Sequence, residues 1–214
     1  MNTLSFDPKS FANLRPLVYH ITHQNNVPRL RKLGIIQPAS EILRLAKQED
    51  LIRKKRNNEL TIAVDTGLVT LNDQVPLNFT NVQLNPGWRE EDVVAYVNEH
   101  VFFWPGDNDG PKRMGARFGD HYSDKQRVAL RVATEQLFRL NEQPLFCPYN
   151  FGAPRKQHGA AVLRGRDLFQ SASRFTRTEG KVVELAFRST VHLPRCTEVS
   201  TPSGVWTSLW EETG

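Results

Sequence analysis

The sequence predicts an α+β fold on two observations. Short apolar segments with the spacing of strands alternate with helical patterns, but without the regular strand–helix–strand order of a doubly wound sheet. The 214 residues suffice for one complete hydrophobic core, and no linker-like segment or internal repeat divides them. We therefore expect residues 1–214 to form a single α+β domain.

The segment at residues 19–34 contains the first candidate functional residues. A strand pattern gives way to polar residues, after which a helix should start near Pro28 and stop at Gly34. His20 and Thr22 should project from one face where the strand meets the helix. Backbone donors at a helix start suit a small polar or anionic ligand. Alternatively, His20 is a hydrogen-bonded core residue and Thr22 is a helix cap.

Helical spacing of apolar residues predicts a helix at residues 40–56, which ends in the basic run Arg-Lys-Lys-Arg. Positive charges at a helix end interact favourably with the macrodipole, and contact with a phosphate backbone is the alternative explanation. Two short apolar segments follow at residues 60–64 and 68–71. They lead into a polar turn that contains Asp73 and Gln74, which could be ordinary turn residues.

A second helix is predicted at residues 90–99, directly before the apolar segment Val-Phe-Phe-Trp at 101–104. A continuous apolar run of this length is typical of a buried central strand. We therefore expect its aromatic residues to belong to the core rather than to a base-stacking surface. Residues 106–110 should form a turn, and a helix should occupy residues 111–118.

Three elements are predicted next: a strand at 127–132, a helix at 134–139 and a strand at 145–147. Thr134 should cap that helix. Residues 148–166 are rich in Pro, Gly and Arg and lack periodicity, which predicts a long loop with a functional or mobile role. Apolar and polar residues alternate at 181–193. This pattern predicts a half-buried strand with Glu184 on the face opposite the core.

The composition favours a soluble cytoplasmic protein. No apolar stretch approaches the length that spans a membrane, and the first residues show no secretion-signal pattern. Lys and Arg number 28 against 23 Asp and Glu, which gives a net charge of +5. This excess favours nucleic acid or a nucleotide as partner, or serves solubility alone. Cys147 and Cys196 lack metal-binding neighbours, so we expect free thiols and no metal site.

Six motifs in order along the chain carry a resemblance to known proteins. They are YHIT at residues 19–22, DQVPL at 73–77, VFFWP at 101–105, YNFG at 149–152, LRGRDLF at 163–169 and VVELAF at 182–187. Together they resemble an uncharacterised bacterial domain family that is similar to the DarT group of ADP-ribosyltransferases, which modify nucleic acid using NAD. The resemblance implies a split, antiparallel-rich ADP-ribosyltransferase sheet with flanking helices, and NAD as co-substrate in its cleft.

The resemblance also implies roles for individual residues, with Glu184 as the catalytic glutamate. The residues that it implies for NAD binding are His20, Thr22, Asn25, Asp73, Gln74 and Arg113, and either Asn25 or Asn26 would support the loop. The residues that it implies near the substrate are Asn150, Arg155, Arg164 and Arg166.

One position departs from the family pattern. The residue before the DQ-x-PL motif is an arginine in the family, whereas this chain has Asn72. Another arginine, such as Arg56, Arg113 or Arg117, would then supply the charge, or the ligand binds differently, or the activity is reduced.

The expected chemistry agrees with these residue types. Cleavage of the nicotinamide glycosidic bond passes through an oxocarbenium-like state, which a carboxylate beside the ribose stabilises. The resemblance therefore implies an NAD-dependent ADP-ribosyltransferase acting on DNA or RNA, in the role of a bacterial toxin or phage-defence effector with a protein antitoxin as partner. The alternatives are an NAD glycohydrolase and a catalytically silent nucleic-acid or nucleotide-binding protein.

Overall fold

The computed structural model describes residues 6–112, 126–151, 156–157, 160–200 and 204–211. The helices in these ranges are α1 (Pro8–Leu14), α2 (Val27–Leu33), α3 (Ala39–Leu45), α4 (Glu90–Asn98) and α5 (Thr134–Leu140). The strands are β1 (Leu17–His23), β2 (Ile35–Ile36), β3 (Leu60–Val64), β4 (Gly67–Leu71), β5 (Val101–Asp107), β6 (Gly110–Pro111), β7 (Arg127–Ala133), β8 (Leu145–Cys147), β9 (Lys156–Gln157), β10 (Ala160–Ala161), β11 (Glu184–Phe187), β12 (Val191–His192), β13 (Glu198–Ser200) and β14 (Trp206–Ser208).

Eight of these strands form one sheet. Its order is β14-β13-β7-β1-β5-β11-β8, and β6 pairs with the end of β5. Every neighbouring pair is antiparallel. Helices α1, α2 and α5 contribute to the main core against this sheet. The predicted α+β class with an antiparallel-rich sheet is therefore confirmed.

The sheet parts beside the middle of β1. This strand pairs with β7 over its full length, from Leu17 to His23. It pairs with β5 only up to Tyr19, which lies opposite Trp104. Beyond Tyr19, the edge of β1 that faces β5 has no backbone partner in β5. Side chains occupy this gap, and the candidate site lies there.

Both faces of β5 and β11 are buried. Phe103 and Leu185 belong to the main core, whereas Phe102 and Ala186 pack with α4 on the opposite face. This arrangement explains the continuous apolar run of β5. The prediction of a half-buried strand at 181–193 is wrong, because β11 is short and α4 covers its second face as well.

Helix α3 and the β3–β4 hairpin form a smaller apolar group, which we call the hairpin cluster. Its buried members are Ile42, Leu43, Ile62, Val69 and Leu71. The predicted helix at 40–56 is wrong, since α3 ends at Leu45 and Lys47 adopts a φ of +56°. A short 3-10 turn at Glu49–Leu51 follows. Leu51 still packs in the hairpin cluster, which is why the apolar spacing resembles one continuous helix.

The basic run at 53–56 therefore does not end a helix. Arg53 forms an ion pair with Asp92 at the start of α4. Lys54 pairs with Asp50 at 2.8 Å. Neither explanation offered for this run from the sequence describes these two contacts, because Arg53 and Lys54 pair with carboxylates of the chain itself.

Several other predictions differ in detail. Strand β5 runs on to Asp107 and forms a hairpin with β6, where Pro111 lies opposite Gly106, so no helix starts there. The rest of the predicted helix at 111–118 lies outside the described residues. Thr134 does not cap α5 with its side chain, because its hydroxyl donates to the Arg15 carbonyl at 2.6 Å. Within the predicted loop at 148–166, β9 and β10 pair with each other.

Helix α2 begins and ends as predicted. Pro28 lies in its first turn, and Gly34 follows it with a φ of +67°. Helix α4 matches its prediction to within one residue. Cys147 and Cys196 are free thiols, as expected. Within the described ranges, no helix combines the length and the apolar character needed to cross a membrane.

Candidate functional site

A cavity of about 250 Å³ lies where the sheet parts beside β1. Strands β1, β5 and β11 line one side of it, and the hairpin cluster lines the other. Its wall is mostly apolar, with polar groups at a few points, as is usual for ligand sites. Six residues singled out from the sequence line it: His20, Thr22, Asp73, Gln74, Asn150 and Glu184.

Glu184, the first residue of β11, is only 5% exposed and faces this cavity. One carboxylate oxygen accepts a hydrogen bond from the Phe151 backbone N–H at 2.9 Å. Burial raises the pKa of the Glu184 carboxyl to about 7. Hydrogen bonds from Phe151 and the Trp104 side chain, and the positive charge of Arg164, oppose that rise. The group is therefore poised to change charge near neutral pH.

Arg164 is buried close to Glu184. It is 1% exposed, and its Nε donates to the Phe151 carbonyl at 2.9 Å. The Phe151 residue is therefore held from both sides, by Glu184 at its N–H and by Arg164 at its carbonyl. Arg164 is not among the residues that line the cavity, and its implied place near the substrate stays a prediction.

His20 fills the gap between β1 and β5. Its Nδ1 lies 2.9 Å from the Phe102 carbonyl, which can only accept, so Nδ1 carries the proton. Burial lowers the pKa of His20 and favours the neutral ring. In that tautomer Nε2 is an acceptor, so His20 can accept a hydrogen bond from a ligand in the cavity. The alternative that His20 is a hydrogen-bonded residue of the structure is confirmed by its contact with the Phe102 carbonyl, and its role in ligand binding stays a prediction.

Thr22 does not cap a helix, and its hydroxyl accepts a hydrogen bond from Asn26 instead. The Asn26 amide donates to the Thr22 hydroxyl at 2.9 Å and to the Thr70 carbonyl at 2.8 Å. The Thr70 N–H returns a bond to the Asn26 side-chain oxygen at 2.8 Å. Asn26 thus joins β1 to the hairpin cluster. Asn25, the neighbour implicated by the resemblance, is exposed and does not line the cavity.

Gln74 forms part of a buried polar network beneath α4. Its side chain accepts from the Arg56 N–H at 3.0 Å and donates to the Asn98 side-chain oxygen at 3.1 Å. Asp73 accepts from the Val75 N–H at 3.1 Å. Both are buried, and each accepts from a backbone N–H, which fits the alternative that they are ordinary turn residues.

Arg56 lies next to Asn72, the position at which the family has an arginine. Its Nε donates to the Asn72 carbonyl at 3.0 Å, and its Nη1 donates to the Asn98 side chain at 2.8 Å. Arg56 lines the cavity beside Asn72. Of the three candidate replacements, Arg56 is placed in the wall, whereas Arg113 and Arg117 lie outside the described residues.

Aromatic rings line the cavity around Glu184. Phe102, Trp104 and Phe151 contribute to its wall, and so does His100 at the end of α4. Phe103 and Trp104 are buried and Phe102 packs against a core cluster, so the expectation that the aromatic residues of β5 belong to the core is confirmed, although Phe102 and Trp104 also line the cavity. Flat apolar walls of this kind suit a planar ring of a ligand.

Arg166 is exposed in a short 3-10 turn and lies outside the cavity wall. Arg113 and Arg155 lie outside the described residues. Of the predicted substrate residues that the structure describes, only Asn150 lines the cavity.

The model of one protein family matches residues 16–198, which include every residue that lines the cavity. The chain belongs to the DUF7002 family. This is a family of unknown function. No curated protein and no solved structure matches the chain. For this DUF7002 protein, the function has to be inferred from the geometry of the cavity.

Sequence reasoning missed three residues of this DUF7002 site: Arg29, Asn98 and His100. Each sits in or at the end of a helix, where a polar residue usually faces solvent. His100 donates from Nδ1 to the Tyr96 carbonyl at 2.6 Å and is buried. These three residues reach the cavity because α2 and α4 pack against it, and no local sequence pattern predicts that packing.

Proposed function

We propose that the protein is an NAD-dependent ADP-ribosyltransferase that modifies a nucleic acid, with NAD bound as co-substrate in the cavity. The observation that carries this proposal is the position of Glu184. It presents a buried carboxylate to a mostly apolar cavity. Only β5 separates its strand from β1, which bears His20 and Thr22.

The reaction would break the bond between nicotinamide and C1 of its ribose. Nicotinamide leaves as a neutral molecule, so no proton donor is required. The ribose gains positive charge, and a carboxylate beside C1 stabilises that charge most where water is excluded. Glu184 suits this role because the hydrogen bond from the Phe151 N–H fixes its orientation.

Glu184 has to be ionised for this chemistry. Burial places its pKa at about 7, so a large fraction is already ionised at neutral pH. The nicotinamide ring of NAD is positively charged, and an opposite charge nearby lowers the pKa of a carboxyl group. Binding of NAD would therefore favour the ionised form of Glu184.

His20 and Thr22 would orient the nicotinamide ribose. The unprotonated Nε2 of His20 can accept from a ribose hydroxyl. The Thr22 hydroxyl already accepts from Asn26, so its hydrogen remains available for donation to the ligand. Arg56, held against Asn72 and Asn98, would supply the positive charge that the family places at position 72.

The acceptor would be DNA or RNA. The net charge of +5 favours a polyanionic partner. A base would have to be unstacked or single-stranded for its nucleophilic atom to reach C1 of the ribose. A role in the cytoplasm as a bacterial toxin or phage-defence effector, restrained by a protein antitoxin, completes the proposal by analogy with the resembling family.

The test is transfer of label from radiolabelled NAD to separate pools of single-stranded DNA, RNA and protein. We expect labelling of one nucleic-acid pool by the wild type and loss of labelling in Glu184→Gln. Glu135→Gln is the matched control, since Glu135 lies exposed on α5 and pairs only with the exposed Arg139 among the described residues. It should label like the wild type.

Other outcomes distinguish the alternatives. Release of nicotinamide without transfer would identify an NAD glycohydrolase. Absence of NAD turnover in every pool would contradict the proposal. Salt-dependent nucleic-acid binding without turnover would then identify a silent binder.

A further inference from the structure

Arg29 is a buried cation that the proposed reaction leaves without a role. It lies on α2, one turn beyond the end of β1, and is only 8% exposed. It lines the same cavity as Glu184. Burial lowers the pKa of its guanidinium, but an arginine remains charged in proteins.

The contacts of Arg29 are with neutral groups. Its Nε donates to the Thr66 hydroxyl at 2.8 Å, and its Nη2 donates to the Gln37 side-chain oxygen. Glu41 is reached only indirectly, because its carboxylate accepts from the Gln37 amide at 3.3 Å and from Thr190 at 2.7 Å. Among the described residues, none supplies a carboxylate within ion-pair distance of Arg29.

A buried charge without a counter-ion is costly, and natural proteins pair such charges or use them to bind ligands. The two hydrogen bonds of Arg29 fix the plane of its guanidinium, one from the hairpin turn and one from the segment before α3. They leave Nη1 and one N–H of Nη2 for another acceptor. An orientated fork of this kind matches the oxygen atoms of a phosphate group.

We propose that Arg29 forms a phosphate-binding subsite of the cavity. We assign this phosphate to the pyrophosphate bridge of NAD, and that assignment rests on the proposed function. A phosphodiester of a nucleic-acid strand presents the same chemistry. Arg29 would then anchor the ligand from α2 while Glu184 on β11 faces the reacting carbon.

The test measures binding rather than turnover. Inorganic pyrophosphate, NAD and a short single-stranded DNA oligonucleotide are titrated separately at low salt, by calorimetry and by the shift in melting temperature. The variants are Arg29→Gln, which removes the charge, and Arg29→Lys, which keeps the charge but loses the fork. Arg139→Gln, an exposed arginine on α5, is the matched control.

We expect pyrophosphate to bind the wild type and Arg139→Gln equally, and to bind Arg29→Gln at least about tenfold more weakly. Arg29→Lys should retain an intermediate affinity. A loss of affinity for NAD with unchanged oligonucleotide binding assigns the site to the pyrophosphate bridge. The reverse pattern assigns it to the phosphodiester backbone.

The subsite and the proposed reaction can fail separately. If NAD does not bind the wild type but pyrophosphate or the oligonucleotide binds through Arg29, the subsite stands and the NAD-dependent reaction is wrong. Equal binding of all three probes by the wild type and both Arg29 variants, or no binding of any probe, overturns the subsite. If Arg29→Gln fails to fold, the affinities of Arg29→Lys and Arg139→Gln for pyrophosphate are compared. Weaker binding by Arg29→Lys supports the subsite, and equal binding overturns it.

Discussion

Replacing Glu184 with glutamine should remove a pH dependence from the stability of the protein. Burial raises the pKa of this carboxyl from 4.5 to about 7 in the folded state. That difference corresponds to about 3 kcal/mol of unfolding free energy. The folded state favours the neutral form, so this contribution is complete below the unfolded pKa and is lost as pH rises through the folded pKa. The wild type should therefore lose about 3 kcal/mol from this group between about pH 4.5 and pH 8.

Urea unfolding, followed by tryptophan fluorescence at several pH values across that window, measures the effect. The free energy of unfolding of Glu184→Gln, minus that of the wild type, should grow by about 3 kcal/mol from the acid to the alkaline end. Glutamine keeps an oxygen that can accept from the Phe151 N–H, so the fold should persist. Glu135→Gln should follow the wild type. Parallel curves for the wild type and Glu184→Gln would refute the reasoning about the buried carboxyl.

Three further predictions concern the structure around the site. Arg164→Met removes the donor to the buried Phe151 carbonyl, and we expect urea unfolding to show a loss of about 1–3 kcal/mol. Asn26→Ala removes the partners of both backbone groups of Thr70, so urea unfolding should show a loss of about 2–4 kcal/mol, and a change within experimental error would contradict the link. Phe103→Ala leaves a cavity in the main core and should lower the free energy of unfolding by about 3–5 kcal/mol.

Local signals predicted the elements that a single segment determines. The proline and glycine around α2 set its two ends without help from the rest of the chain. The apolar run of β5 likewise indicates a buried central strand. By contrast, the break after α3 depends on Lys47, which adopts a left-handed conformation although it is not a glycine. No sequence pattern marks such a residue.

The candidate site was only partly predictable, because it depends on long-range packing. The motif around Glu184 indicates a glutamate on a strand, but its burial follows from α4 covering the second face of that strand. The resemblance implies that Arg164 lies near the substrate, and it gives no sign of the contact that the structure shows. The Nε of Arg164 donates to the Phe151 carbonyl, an acceptor that only the folded backbone reveals. Arg29 has the sequence context of a solvated helix residue, because its contacts with Thr66 in the hairpin turn and Gln37 before α3 form only in the folded chain.

The most direct test of the central claim is the rate of nicotinamide release from NAD in a single turnover, in the presence of the nucleic-acid pool that accepts the label. For the wild type, the rate should rise with pH through the pKa of Glu184 at about 7 and level off above about pH 8, where Glu184 is almost fully ionised. Glu184→Gln should be slower by at least about 100-fold at every pH. Equal rates for the two proteins would contradict the assignment of Glu184 as the residue that stabilises the reacting ribose.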